Sequence, residues 1–302
     1  MKAIVLHEYG GPDKLKYEDV DDPVAGEGEL LVRLAATSVN PIDYKMRSGA
    51  AREHFPVEFP GILGRDIAGI VRAVGPGVSG FAPGDKVIAL GKRSYAELAV
   101  VKAQDATLAP EGLDLVEAAA LPLVTLTGEQ LVTRGTGIKS GQTILVSGAL
   151  GGVGRSAVWT AKKAGATVIA GVRKGQLKEA QGIGADEVIA LDDTSAMEEL
   201  GFVDAVADTV GGKTAEMLLA KVKQGGVFGS VLGPPANAKM HPTVKVTPVM
   251  AVPDAAALRS MAEDVAAKRF SIPIDRMIPL EEAGEGQAAA EKGGIGKVLL
   301  LA

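Results

Sequence analysis

The stretch from Thr143 to Lys174, TILVSGALGGVGRSAVWTAKKAGATVIAGVRK, limits the possible folds more than any other part of this chain. An apolar strand, Ile144 to Val146, runs into a glycine-dense turn, then a helix, then a second apolar strand, Val168 to Val172. Ala149, Gly151 and Gly154 fall on the spacing G-x-G-x-x-G with alanine in the first slot, and Gly152 and Val153 fill the rest of the turn. Glycines let the backbone approach a ligand closely, and a helix N-terminus offers unpaired N–H groups and partial positive charge. A dinucleotide pyrophosphate requires this order of strand, turn, helix and strand. Glycines alone would suit an ordinary tight turn equally well, so the flanking elements carry the inference.

The end of the second strand discriminates between cofactors. A site for NAD places a carboxylate there, about twenty residues after the glycine pattern begins, to accept from the ribose 2′-OH. This chain has Gly171, Val172, Arg173 and Lys174, with no carboxylate between Thr167 and Gln176. A 2′-phosphate needs room and cations, and the guanidinium fork suits it. Arg173 and Lys174 therefore point to NADPH. The alternative is that they are solvated loop charges.

Composition bounds the rest. The 302 residues suffice for one large or two ordinary domains, and 47% hydrophobic with 23% charged residues is globular. A net charge of −5 argues against a nucleic-acid partner. No apolar run reaches bilayer length, and the N-terminal MKAIVLHEYGG has too short an apolar stretch for a signal peptide, so a cytoplasmic protein without membrane partners is expected. There is no cysteine, and the histidines are His7, His54 and His241, none at metal-ligand spacing from another. No metal site is expected.

Proline divides the chain. Eight of the 16 prolines lie between Pro12 and Pro110, and none between Leu123 and Gly233. The proline-rich part carries short strands (KAIVLHE, ELLVRLAATSV, AGIVRAVG, DKVIAL, YAELAVV), as in a compact β-domain. The proline-free part alternates strands (TILVSG, TVIAGV, EVIAL, VDAVADTV, GGVFGSVL) with helices such as SAVWTAKKAG and TAEMLLAKVK, which implies crossover units and a parallel sheet. A strand near Val246 to Val252 and a helix from Ala255 to Lys268 would complete six doubly wound strands, and the C-terminal stretch would return to the first domain. The expected fold is α/β, with a Rossmann-type domain over residues 117–268 and a β-rich domain from 1–116 plus 269–302.

These segments resemble the medium-chain dehydrogenase/reductase superfamily, in its zinc-independent quinone oxidoreductase branch. The similarity runs along nearly the whole chain. It rests on SVNPIDYKMRSG, PGILGRDIAGIVRAVGPGVSGFAPGDKVIAL, AAALPLVTLTGEQ, SGALGGVG and the C-terminal GKVLL. The resemblance implies that the β-rich domain is GroES-like and catalytic, with the active site in the cleft beside the nucleotide-binding domain. Zinc-dependent relatives carry a cysteine in the first motif and a His-Glu pair in the second. The matching positions here are Asn40 beside Pro41, then Arg65 and Asp66.

Alcohol–ketone interconversion leans on a Lewis acid, whereas conjugate reduction of an enone or quinone spreads the developing charge and needs only hydrogen-bond donors. The expected activity is NADPH-dependent reduction of quinones or α,β-unsaturated carbonyls. The resemblance places Asn40 and Tyr44 near the substrate and Lys45 near the cofactor ribose, and Thr127 near the nicotinamide. Glu129 stands where the family often has an aromatic residue. Asp208, and Val231, Leu232 and Gly233, follow the fourth and fifth strands, at the carboxyl ends where doubly wound sheets bind ligands. Asp66 fixes a loop. A homodimer is implied by resemblance, through the edge strand near Val246 to Val252. The competing reading is a non-catalytic, crystallin-like protein that holds NADPH.

Overall fold

The computed structural model describes residues 1–294 and 296–302. The chain forms two compact units, Met1–Leu123 with Pro253–Ala302, and Val124–Val252.

The first unit begins with β1 (Lys2–Leu6), β2 (Leu15–Asp19) and β3 (Glu29–Ser38), then α1 (Pro41–Ser48), and continues with β4 (Gly61–Ile62), β5 (Asp66–Val74), β6 (Lys86–Leu90), β7 (Leu98–Lys102) and β8 (Ala106–Leu108). β1 pairs antiparallel with β2 and β4 in a small sheet. β3 pairs antiparallel with β5 and β7 in the larger one. Alternate residues of β3 (Leu30, Val32, Leu34) are buried against Ile67, Val71, Val87 and Val101. Each such side chain contributes about 2 kcal/mol on burial. Pro41 opens α1, where a missing N–H costs nothing, and Gly49 closes it at φ 80°. The short α2 (Leu115–Ala118) is capped by Asp114, whose carboxylate accepts from Val116 and Glu117. α3 (Pro122–Gln130) then runs into a π-helical turn, Leu131–Thr136.

The second unit alternates strand and helix: β9 (Thr143–Ser147), α4 (Gly152–Lys163), β10 (Thr167–Val172), α5 (Leu177–Ala180), β11 (Glu187–Ala190), α6 (Thr194–Glu199), β12 (Val203–Asp208), α7 (Gly212–Leu219), β13 (Val222–Ser230) and β14 (Lys245–Pro248). The strands are parallel in the order β11-β10-β9-β12-β13-β14, the doubly wound arrangement. Both faces are covered. Ile144 and Val146 pack with Ala157, Val158 and Ala161 of α4. Leu145 packs on the other side with Ala215, Leu218 and Leu219 of α7. That is why β9 reads as an unbroken apolar run rather than an alternating one.

The chain then returns to the first unit through α8 (Ala255–Ala266), β15 (Ile274–Pro279), α9 (Ala283–Lys292) and β16 (Lys297–Leu301). β16 pairs antiparallel with β3, setting Leu299 opposite Ser38, and parallel with β15. α8 lies against β8, where Arg259 donates to the Leu108 carbonyl at 3.2 Å. Its periodicity marks a helix, but it does not say which surface the helix covers. No helix among the described residues is long and apolar enough to cross a membrane.

Candidate functional site

Two groups of candidate residues form, one in each unit. In the second unit, β9 is followed by Gly148, which takes φ +64°. A side chain on Gly148 would meet the Thr209 hydroxyl at 2.4 Å. Gly151 caps α4, and the first N–H groups of that helix have no acceptor within it. A Cβ at Gly151 would find no protein atom nearer than the Gly148 carbonyl at 3.4 Å, so the space over the turn is open to a ligand. Gly154 has the opposite surroundings. A Cβ there would lie 2.1 Å from the Gly148 carbonyl oxygen, so only glycine lets the helix sit this close to the turn. Ala149 is fully buried, with its N–H on the Gly171 carbonyl at 3.2 Å. Gly152 rests near Val124 of α3, and Gly128 of α3 rests on the Val153 carbonyl. Thr127, also buried, therefore lies one residue from the contact with α4. This cradle fits a pyrophosphate: open space, exposed N–H groups and a helix N-terminus.

The loops after β12 and β13 join the turn through Asp208. This carboxylate is fully buried. Oδ1 accepts from Ser147 Oγ at 2.8 Å and from the N–H groups of Val210 and Gly211, both at 3.1 Å. Oδ2 accepts from Ser230 Oγ at 2.8 Å. Ser230 Oγ in turn accepts from the Leu232 N–H at 3.0 Å. The Asp208 side chain thus ties the carboxyl ends of three strands together. The Val231 N–H bonds the Asp208 carbonyl, and Gly233 turns the chain at φ +89°.

At the end of β10 the two cations differ. Arg173 is exposed, and its Nε reaches Gln176 Oε1 at 3.3 Å. Lys174 is paired with Asp193, 2.7 Å away.

The other group surrounds α1. Asn40 is its N-cap residue and is fully buried. The Asn40 N–H donates to Asp43 Oδ2 at 2.8 Å. The Asn40 amide turns away from the helix: Nδ2 donates to Asp66 Oδ2 at 2.6 Å and to the Ser38 carbonyl at 3.4 Å, while Oδ1 accepts from Lys297 Nζ at 2.7 Å. Lys297 also donates to the Val39 carbonyl at 3.0 Å and lies 3.7 Å from Asp66. Asp66 further accepts from Ser38 Oγ and from the Leu123 N–H. Tyr95 OH donates to Asp43 Oδ2 at 3.2 Å. The Asn40 amide and the Asp66 carboxylate are thus bridged by a buried ammonium. Arg65 donates from Nε to the Gly91 carbonyl. Among the described residues no group of three or more His, Cys, Asp or Glu side chains is arranged to hold a metal ion.

Burial sets the electrostatics of this cluster. It pushes the Asp43 carboxyl up to about 7, with Asp66 adding to the rise and the Asn40 N–H and Lys297 opposing it. Burial also lowers the Lys297 ammonium against the pull of Asp66 and Asp43. One oxygen of Asp43, Oδ1, has no partner. Tyr44 and Lys45 project from α1, half-buried, and neither side chain has a hydrogen-bond partner among the described residues. Burial, then Glu291 and Asp43, raise the Tyr44 phenol. Of the three residues expected to be catalytic, the structure gives Asn40 an inward-facing amide and leaves Tyr44 and Lys45 with donors to spare.

Sequence reasoning assigned no role to Lys297 or Tyr95. A lysine opening the apolar run Lys297–Leu301 was the available signal, since a charge in such a strand is buried only with partners.

Comparison with known proteins agrees with this architecture. Residues 26–111 match the alcohol dehydrogenase GroES-like domain, and residues 183–300 match the family described as zinc-binding dehydrogenase. The chloroplast envelope quinone oxidoreductase homolog of Arabidopsis thaliana is 32% identical, over 99% of this chain and 98% of that protein. The quinone oxidoreductase of Sus scrofa is 33% identical over 72% of this chain and 65% of its own. Among solved structures, the quinone oxidoreductase of Coxiella burnetii superposes with a TM-score of 0.88 at 28% identity, covering 100% of this chain and 99% of the other. A mycobacterial protein, Rv1454c, solved as a complex with NADPH, does so with a TM-score of 0.87 at 29% identity over 100% of both chains. With its doubly wound sheet, its GroES-like unit and these relatives, the chain belongs to the medium-chain dehydrogenase/reductase superfamily, among the quinone oxidoreductase-like proteins.

Proposed function

We propose that this chain is an NADPH-dependent oxidoreductase that reduces quinones or α,β-unsaturated carbonyls by hydride transfer, without zinc. The observation that carries the cofactor assignment is the end of β10. It presents the exposed guanidinium of Arg173, which has no carboxylate partner among the described residues, beside a glycine turn open to a pyrophosphate. Quinone oxidoreductase relatives and the NADPH complex of a structural neighbour support the same reading.

NADPH, when bound, supplies the hydride. The protein's part is to hold the pyrophosphate on the N–H groups of Gly152, Val153 and Gly154, and the 2′-phosphate on Arg173. Asp208 keeps the neighbouring loops in place. Tyr44 supplies a donor that stabilises an oxygen gaining negative charge, and Lys45 serves the cofactor ribose. Asn40 acts as a positioning group, because its amide is already engaged by Asp66 and Lys297. Asn40 and Asp66 are bridged by the ammonium of Lys297, and among the described residues no group of three or more His, Cys, Asp or Glu is arranged to hold a metal ion. This favours conjugate reduction, which makes less demand on a Lewis acid. The reading includes a cytoplasmic homodimer paired along β14, the edge strand of its sheet.

The test is steady-state oxidation of NADPH and of NADH with 9,10-phenanthrenequinone and a panel of small enones. Turnover with NADPH well above that with NADH is expected. NADPH binding with no turnover across the panel would favour a non-catalytic NADPH-holding protein instead.

A further inference from the structure

The turn after β10 contains a competition. Lys174 does not extend freely beside Arg173. Its Nζ lies 2.7 Å from Asp193 Oδ2, and its backbone N–H donates to Asp192 Oδ1 at 2.7 Å. Asp193 is the N-cap of α6, and its other oxygen, Oδ1, accepts from the N–H groups of Ser195 at 3.1 Å and Ala196 at 3.4 Å. One oxygen therefore anchors the carboxylate to the helix start while the other holds the lysine. The carboxylate is three-quarters buried and fixed, with a relative exposure of 25%, whereas the lysine is 70% exposed. The hydrogen bond to Lys174 holds the Asp193 carboxyl below its usual range, so both partners are charged at neutral pH. Arg173 has no carboxylate partner among the described residues.

We propose that Asp193 is a specificity-determining residue: by engaging Lys174 it withholds one of two cations from the 2′-phosphate of a phosphorylated nicotinamide nucleotide. Arg173 is then the main contact, and preference for NADPH over NADH is smaller than two free cations would give. A 2′-phosphate can recruit Lys174 only by displacing Asp193, and the carboxylate left behind repels the phosphate. The inference rests on the NADPH reading above.

Asp193→Asn is the informative variant. The side-chain carbonyl still caps α6, because Asn caps as well as Asp, but the charge that restrains Lys174 is gone. The dissociation constants of NADPH and NADH, read from quenching of protein fluorescence, should respond differently. NADPH should tighten about two- to fivefold, the size of an exposed ion pair released, and NADH should not change. Lys174→Ala should weaken NADPH binding more in the Asp193→Asn background than in the wild-type protein and should abolish the gain there, a coupling that a double-mutant cycle reads directly. Asp193→Ser, which also caps, provides a second variant if the first folds poorly. Unchanged or weaker NADPH binding in a folded variant, or additive effects of the two substitutions, would overturn the proposal. A wild-type protein that binds NADH as tightly as NADPH would remove the cofactor assignment, while the change on replacing Asp193 would still decide this inference.

Discussion

Lys297→Met tests the cluster around α1 most severely. Methionine matches the length of the lysine stem and fills the same space, so the loss is polar. In the native protein Nζ serves the Asn40 amide oxygen at 2.7 Å, the Val39 carbonyl at 3.0 Å and, at 3.7 Å, the Asp66 carboxylate. All three partners are buried. Each buried acceptor left without a donor costs about 1–3 kcal/mol, and removing one member of a buried ion pair costs about 3–5 kcal/mol in all. Asp66 keeps donors from Ser38, Asn40 and Leu123, so the lower part of that range, about 3 kcal/mol, is expected. Urea unfolding followed by circular dichroism measures it as a fall in midpoint at unchanged slope. Adding Asp66→Asn to Lys297→Met should recover part of the loss, because a buried charge without a counter-ion is removed. A loss below about 1 kcal/mol, or no recovery in the double variant, would show that the ammonium is not what the cluster is built around.

Two further perturbations follow from the same geometry. The folded-state carboxyl of Asp43 titrates at about 7, against 3.8 for an ordinary aspartate, so its protonated form stabilises the fold. That contribution is fully present below about pH 4 and is lost as the pH rises through about 7, up to about 4 kcal/mol in total. Asp43→Asn should flatten the stability profile over this window, and an unchanged profile would refute the assignment. Gly154→Ala would set a methyl group 2.1 Å from the Gly148 carbonyl, so α4 must shift. A stability loss of about 1–3 kcal/mol and weaker binding of both NADPH and NADH are expected in calorimetry, whereas wild-type affinity would contradict the close approach.

Much of the second unit is legible in the sequence because its information is local. Continuous apolar runs, helices between them and the glycine turn fix a parallel sheet and the place of its ligand, and β9, β10 and β12 fall where the pattern puts them. Boundaries are less legible. The segment TAEMLLAKVK reads as one helix, yet α7 stops at Leu219 and the buried Val222 opens β13. In the first unit β2, LKYED, escapes notice because most of its residues face solvent. The least legible features depend on distant pairings. Lys297 reaches Asn40 only because β16 pairs with β3, a relation more than 250 residues long that no spacing reveals. Asn40 looks like a free amide at a turn until Asp66 and Lys297 are seen to occupy it. Arg173 and Lys174 look equivalent until Asp193, nineteen residues on, takes one of them.

In the proposed reaction protein donors, and not a metal ion, support reduction of an electron-poor double bond by NADPH. Quinone-dependent NADPH oxidation by protein treated exhaustively with a chelator, with its metal content measured alongside, tests this most directly. An undiminished rate at negligible metal content is expected. A rate that vanishes with the metal and returns with one equivalent of a divalent ion would contradict it.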